Sequence, residues 1–186
     1  MSKFWKRVGM SAIIAVVLAA CLAVVGWKLV TRRIAERMRP PRLVYQPVPA
    51  SDFVFNTLDG QPEHLSALRG KVLFVNLWGT WCIQCVAEMP TVQTLYNHYR
   101  DDPHVRFLVI SRLDSPATVR TWAERHRLDL PFYTMRDEDI PRSMRLNQYP
   151  ATFLYGKDGQ LVAVHVGAAD WSAPEVVRFI DGLERR

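Results

Sequence analysis

The chain has 186 residues, enough for one domain of about 130–140 residues plus a tail and too few for two ordinary domains. Hydrophobic residues make up 49% and charged residues 23%, which supports a packed core and excludes global disorder. The net charge of +6 is unevenly held: residues 1–50 contain nine Lys/Arg and one Glu, while residues 51–186 contain fifteen Lys/Arg and seventeen Asp/Glu. The basic character therefore belongs to the N-terminal segment, which fits a membrane surface and argues against a nucleic-acid partner.

Val8 to Trp27 carry no charge. As a helix rising about 1.5 Å per residue this run spans roughly 30 Å, the thickness of a bilayer core. Trp5 and Trp27 stand at its ends as interfacial aromatics, and Lys28 can snorkel outward. Residues 1–30 are expected to be an uncleaved membrane anchor. Two alternatives are a cleaved signal peptide beginning at Lys3, Lys6 and Arg7, and a lipoprotein signal at Leu18-Ala19-Ala20-Cys21. Both are opposed by the apolar run through Leu22-Ala23-Val24-Val25. More basic residues follow the span than precede it, so flanking charge alone would keep the domain on the inner side of the membrane; large domains often translocate despite such charge. Residues 31–50, with Pro40, Pro41, Pro47 and Pro49, read as a basic, semi-stiff linker, and residues 51–186 as the folded domain.

Within the domain, Phe53 to Leu58 reads as an edge strand ending at the turn Asp59-Gly60. His64 to Leu68 reads as a short helix closed by Gly70. Val72 to Trp78 is almost continuously apolar, the pattern of a strand buried on both faces. A helix follows over Cys82 to Tyr99, with Val86, Met89, Val92, Tyr96 and Tyr99 inward and a kink expected at Pro90. Val105 to Ile110 is a second buried strand. Ser115-Pro116 starts a helix to about Arg127, with Val119, Trp122 and Ala123 inward. Pro131 to Met135 is a short strand and Asp137 to Leu146 a short helix. Ala151 to Tyr155 and Leu161 to Val166 flank Lys157-Asp158-Gly159 as a β-hairpin. The last helix is expected from Ser172, with a capping box to Glu175, a staple of Trp171 onto Val176, and a buried stripe of Val176, Phe179, Ile180 and Leu183. This alternation implies an α/β fold with a central mixed sheet flanked by helices.

Three cysteines are too few for a disulfide framework. Cys21 lies in the apolar run and reads as inert. Cys82 and Cys85, three apart at a helix start, have a physical use. Unpaired N–H groups and the helix dipole stabilise a thiolate on Cys82, making it a good nucleophile and leaving group. Cys85, one turn on, is near enough to close a disulfide with it. A structural zinc site needs four ligands; there is no second CxxC, and His64, His98, His104, His126 and His165 show no paired spacing. No metal is expected, and no cofactor beyond the redox-active Cys82–Cys85 pair.

Phe74-Val75-Asn76-Leu77-Trp78-Gly79-Thr80-Trp81-Cys82-Ile83-Gln84-Cys85 resembles the strand and active-site turn of the thioredoxin superfamily. Cys85-Val86-Ala87-Glu88-Met89-Pro90 resembles its TlpA/ResA branch, which includes cytochrome c maturation thioredoxins. The segment from about Asp114 to Met135 is similar to that branch's insertion. The resemblance covers about residues 51–186 and implies a thioredoxin-like fold behind a single transmembrane helix. It implies catalytic roles for Cys82 and Cys85, and a tuning or proton-moving role for Glu88, which otherwise reads as a solvated helix residue. Tyr149-Pro150-Ala151-Thr152 resembles the cis-proline loop, which implies a cis bond at Pro150 and substrate backbone pairing beside Tyr149 and Pro150. Trp81 is expected to cover the disulfide and offer substrates an apolar surface. Asn76 departs from many thioredoxins, which carry a buried carboxylate there; Asn cannot titrate.

By the same resemblance the chain is expected to be a thiol–disulfide oxidoreductase reducing protein disulfides. It would be anchored in the bacterial inner membrane with its catalytic domain on the periplasmic side. Its partners would be protein disulfide substrates, with an apocytochrome c as the family-based candidate, and a membrane thiol–disulfide electron donor. A thiol oxidase or isomerase on the same fold, and a non-catalytic thioredoxin-like assembly module, stay open as alternatives.

Overall fold

A computed structural model describes residues 2–35 and 37–186, with side chains described from residue 13 onward except at positions 35 and 143. The chain divides into two compact units, 1–37 and 38–186. The first is helix α1, Ser2–Ala35. Its segment Ile13–Ile34 is long and apolar enough to cross a bilayer. Leu18, Leu22 and Val25 within it are each more than half exposed. A helix apolar all round has no preferred face to bury in a small domain and is matched to lipid. The helix runs five residues beyond the anchor boundary expected at residue 30. The expected interfacial role of Trp5 falls on a side chain outside those described.

The second unit is built on a sheet with strand order β2-β1-β5-β4-β3-β6-β7. The strands are β1 Val54–Thr57, β2 Pro62–His64, β3 Val72–Trp78, β4 Val105–Arg112, β5 Phe132–Met135, β6 Ala151–Tyr155 and β7 Leu161–Val166. Helices α2 Ile83–Tyr99, α3 Pro116–His126 and α4 Pro174–Glu184 complete it. β3 pairs parallel with β4 and antiparallel with β6, so the sheet is mixed, as expected. Every residue of β3 is buried, and its period of two splits the core. Val72, Phe74 and Trp78 pack with Met89, Val92, Val119, Val176 and Ile180 from the helices. Leu73, Val75 and Leu77 pack on the other face with Leu108, Ile110 and Phe153. Asn76 shares the parity of Phe74 and Trp78, which puts a polar side chain on the α2 face of the sheet.

Several expectations need correction. β2 takes residues from the segment between the first strand and the turn of Leu65–Leu68, which is a single 3-10 turn. Asp137 to Leu146 is not a helix but two 3-10 turns, Asp137–Asp139 and Arg142–Met144. Pro141 lies between them; it lacks the N–H a helix needs and disfavours helical backbone at Ile140. α4 starts at Pro174 with Ala173 as N-cap, so the capping box at Ser172 does not form. Pro174 biases the preceding residue to extended backbone, and the Ser172 hydroxyl instead donates to Asp170 Oδ1 at 2.5 Å.

Residues 31–50 are not a free spacer throughout. Val48 N donates to Leu161 O (2.8 Å), Leu161 N to Val48 O (3.0 Å), and Gln46 N to Val162 O (2.8 Å). Pro47 and Pro49 alternate with these donors, and so occupy edge positions that need no N–H.

Candidate active site

The cysteines sit where β3 ends and α2 begins, at the carboxyl end of the parallel strands, where open α/β sheets place their sites. Cys82 is not the first residue of the helix but its N-cap, with extended backbone. Cys82 and Cys85 are joined as a disulfide. Cys85 N donates to Cys82 Sγ at 3.2 Å, so the cap position aims an otherwise orphan N–H at this sulfur. Cys82 is 9% exposed and Cys85 0%, which makes Cys82 the sulfur an incoming group can reach. α2 continues unbroken through Pro90.

Gly79 opens the turn between strand and helix. A Cβ there would lie 2.6 Å from Trp81 Cε2, so only glycine lets the indole fold back over the turn. Trp81 stays 51% exposed beside the disulfide. Its Nε1 donates to Arg112 O at 3.4 Å, and its ring meets Tyr149 edge-on at 6.3 Å. Tyr149–Pro150 is a cis peptide bond, as the motif implied. Cys82, Ile83 and Gln84 share a cleft of about 500 Å³ with Asn147, Gln148 and Tyr149, so the cis-proline loop and the CxxC face one opening.

Two residues that sequence reasoning missed hold this rim together. Asp114 accepts from Thr80 N (2.8 Å), Thr80 Oγ1 (2.8 Å) and Ser111 Oγ (2.6 Å), tying the active-site turn to the end of β4. Arg112 grips Asp137 with Nε and Nη2 at 2.9 and 2.7 Å, and its Nη1 donates to the Tyr149 hydroxyl. The guanidinium holds Asp137 below the usual carboxylate range.

Three residues beyond Cys85 on α2, Glu88 is fully buried, so the alternative reading of a solvated helix residue does not hold. Its Oε1 accepts from Asn76 Nδ2 at 2.9 Å. Its Oε2 accepts from Ala169 N at 3.0 Å and Trp171 Nε1 at 2.9 Å. Asn76 Nδ2 also donates to Thr152 Oγ1 at 2.9 Å, across the β3–β6 pair in which these residues are directly opposed. Burial pushes the Glu88 carboxyl up to about 7, and the Trp171, Ala169 and Asn76 donors oppose that rise in this order. Trp171 is a fully buried ring in the same core cluster as Val176, and its N–H serves the carboxylate. A buried indole needs such an acceptor, and that was the available signal for it.

The arrangement provides an outward sulfur at a helix cap, a buried partner sulfur, and a buried carboxyl three residues further along the same face of α2 that changes charge near neutrality. The AhpC/TSA family profile matches residues 47–164. A thiol-disulfide oxidoreductase ResA from Geobacillus kaustophilus is 32% identical over 184 residues, covering 99% of each chain. One from Halalkalibacterium halodurans is 28% identical over 165 residues, covering 89% of this chain and 87% of that one. In fold, the domain is similar to a thiol:disulfide interchange protein of the thioredoxin family from Chlorobium tepidum. That match has a TM-score of 0.60 at 22% identity and covers 75% of this chain and 97% of the other. With the CxxC at the α2 cap, the cis-proline loop across the cleft and full-length similarity to ResA proteins, the chain belongs to the AhpC/TSA family and, within it, to the ResA-type thiol–disulfide oxidoreductases of thioredoxin fold.

Proposed function

We propose that this oxidoreductase works as a reductase of protein disulfides on the periplasmic face of a bacterial inner membrane, held there by the Ile13–Ile34 span. The observation that carries the reading is the asymmetry of the pair: Cys82 keeps 9% exposure and is capped by Cys85 N–H, while Cys85 has none and precedes the buried Glu88 by three residues on α2. In the reduced protein the Cys82 thiolate attacks one sulfur of a substrate disulfide. A Cys82–substrate bond forms, and the other substrate sulfur leaves as a thiolate. Glu88 carboxylate takes the Cys85 proton. The Cys85 thiolate then attacks Cys82, re-forming the internal disulfide and releasing the second substrate thiolate. Two electrons have passed to the substrate, and a membrane thiol–disulfide donor restores the dithiol.

Trp81, Tyr149 and Pro150 form the substrate-facing rim in this scheme, the loop backbone at Pro150 pairing with an extended peptide. An apocytochrome c is the substrate proposed, on the strength of the TlpA/ResA resemblance. The oxidising compartment is supported by the need for a dedicated reductase there, since cytosolic thiols are kept reduced by other means.

Trapping tests the reading. Cys85→Ser, expressed in full-length form, should accumulate mixed disulfides on Cys82 that reducing agent releases, and Cys82→Ser should accumulate none. Exchange activity surviving in Cys82→Ser would refute the cycle. A midpoint potential near that of DsbA, about −120 mV, rather than near thioredoxin at about −270 mV, would mark an oxidase instead. A reporter that works only outside the cytoplasm, fused after Arg186, should be active.

A further inference from the structure

Glu88 is held by three donors from two places: Asn76 on β3, and Ala169 N and Trp171 Nε1 from the segment leading into α4. They are divided unequally between its two oxygens. Oε2 receives two N–H groups, and neither can turn into an acceptor: one is backbone and the other an indole. A proton placed on Oε2 would have to displace one of them inside a site with no exposure. Oε1 receives one donor, from a side-chain amide that has an acceptor at its other end. That acceptor, Asn76 Oδ1, is buried and without a hydrogen-bond partner among the described residues.

We propose that Trp171 is a positioning residue for the redox reaction: with the Ala169 amide it occupies Glu88 Oε2 and leaves Oε1, beside Asn76, as the oxygen that takes up and releases the proton. When Oε1 is protonated, rotation of the Asn76 amide turns Oδ1 toward it. The O–H then donates to Oδ1, and the Thr152 hydroxyl, formerly an acceptor from Nδ2, donates to the same oxygen. The proton moves between Cys85 and Glu88 Oε1 without disturbing either N–H on Oε2. This rests on the use of Glu88 as the Cys85 base proposed above.

The groups facing the carboxyl are few. Cys82 and Cys85 precede it on α2. From β7, His165 stands edge-on to the Trp171 ring at 5.6 Å, and burial pushes its imidazole below the ordinary histidine value. Asp170, between Ala169 and Trp171, accepts from Ser172 N and Oγ.

The test follows Glu88 directly in the oxidised full-length protein in detergent micelles, by carboxyl ¹³C NMR against pH, with Trp171→Phe as the variant. Phenylalanine keeps an aromatic ring and removes the N–H donor along with part of the indole's volume, and the Glu88 midpoint reads the loss of the donor. The Glu88 midpoint should rise by about one pH unit, a tenfold gain in proton affinity. The pH profile of exchange with a small aromatic disulfide by the reduced protein should move with it. A midpoint unchanged in Trp171→Phe overturns the proposal while leaving Glu88 as base, provided Glu88→Gln still removes the inflection. A midpoint that moves while the exchange profile does not overturns the role of Glu88 itself. Should Trp171→Phe not fold, the wild-type protein decides. Across the Glu88 titration the Asn76 side-chain amide resonances should shift strongly and the Trp171 indole N–H little; the reverse pattern overturns the assignment to Oε1.

Discussion

Two carboxylates flank the CxxC turn, and each accepts three hydrogen bonds. Glu88 takes its three beneath the disulfide, where nothing reaches solvent. Asp114 takes its three at the half-buried rim, from Thr80 N, Thr80 Oγ1 and Ser111 Oγ. The number of bonds is the same, but the surroundings assign different work. A carboxylate at the rim can exchange its partners with water and serves as a fastener for two loops. A carboxyl sealed in the core gives up hydration that three N–H groups replace only in part, and its charge becomes conditional on pH.

Deleting each side chain should expose the difference. Glu88→Ala leaves the Asn76, Ala169 and Trp171 donors without an acceptor in the core. At roughly 1–3 kcal/mol for each unsatisfied buried group, the loss should be about 3–5 kcal/mol in urea unfolding. A loss below 1 kcal/mol would mean that water enters freely and that the site is less sealed than its burial indicates. Glu88→Gln retains a carbonyl for the two N–H groups and an amide to face Asn76 Oδ1. It therefore mimics the carboxyl protonated on Oε1 and should lose far less.

The second contrast is in pH. The Glu88 carboxyl is raised from its ordinary 4.5 to about 7, so the folded chain holds this proton more tightly than the unfolded chain. Its contribution to stability is fully present below about pH 4.5 and is lost as pH rises through about 7. The total is on the order of 3 kcal/mol. Unfolding free energies of wild type and Glu88→Gln, compared at pH 5 and pH 8, should diverge by most of that amount, about 2–3 kcal/mol, in the direction of a weaker wild type at pH 8. Parallel curves would show that the carboxyl keeps its ordinary titration.

How much of this was legible in the chain depends on the distance between partners. The β3 strand, the CxxC at a helix start and the cis bond at Pro150 are read from contiguous residues, and they stand. Burial of Glu88 was also within reach: Cys85, Glu88, Val92, Leu95 and Tyr99 recur at spacings of three and four, and all are buried. The stripe of Val86, Met89, Val92, Tyr96 and Tyr99 is buried apart from half-buried Tyr96, but it left Glu88 and Leu95 out. The Trp171 contact is different. Its partner lies 83 positions away, and Trp171 stands before Ser172 and Val176 in a pattern that also fits a hydrophobic staple. β2 was missed because Pro62-Glu63-His64 has no apolar alternation; it is a strand only through its backbone pairing with β1. The segment 137–146 misled through an acidic start and an apolar pair, Ile140 and Met144, while the proline between them decided the backbone.

At the rim, Asp114→Ala should cost less than Glu88→Ala, about 1–2 kcal/mol, because water can replace the lost acceptor at a half-buried site. Thr80 would lose both of its bonds to the β4 end. Exchange with protein substrates should slow several-fold through a looser turn. The pH dependence of unfolding between pH 5 and 8 should keep its wild-type shape, since Glu88 is untouched. A change in that shape would couple the two carboxylates and break the contrast drawn between them.

The smallest expected effect lies next to Asp114. Leu113 has φ of 64° and is 68% exposed, an apolar residue in left-handed backbone that it shares with few non-glycine residues. Left-handed backbone costs an L-residue roughly 1–2 kcal/mol, and glycine removes that cost while adding about 0.5–1 kcal/mol of unfolded-state entropy. Leu113→Gly should therefore be more stable by about 0.5 kcal/mol, a rise of roughly 1–2 °C in Tm for a domain of this size. If it is less stable, the leucine is held by packing at the rim rather than tolerated there. If it is more stable, the leucine is tolerated there against the strain of its backbone, and the rim holds its shape without that side chain.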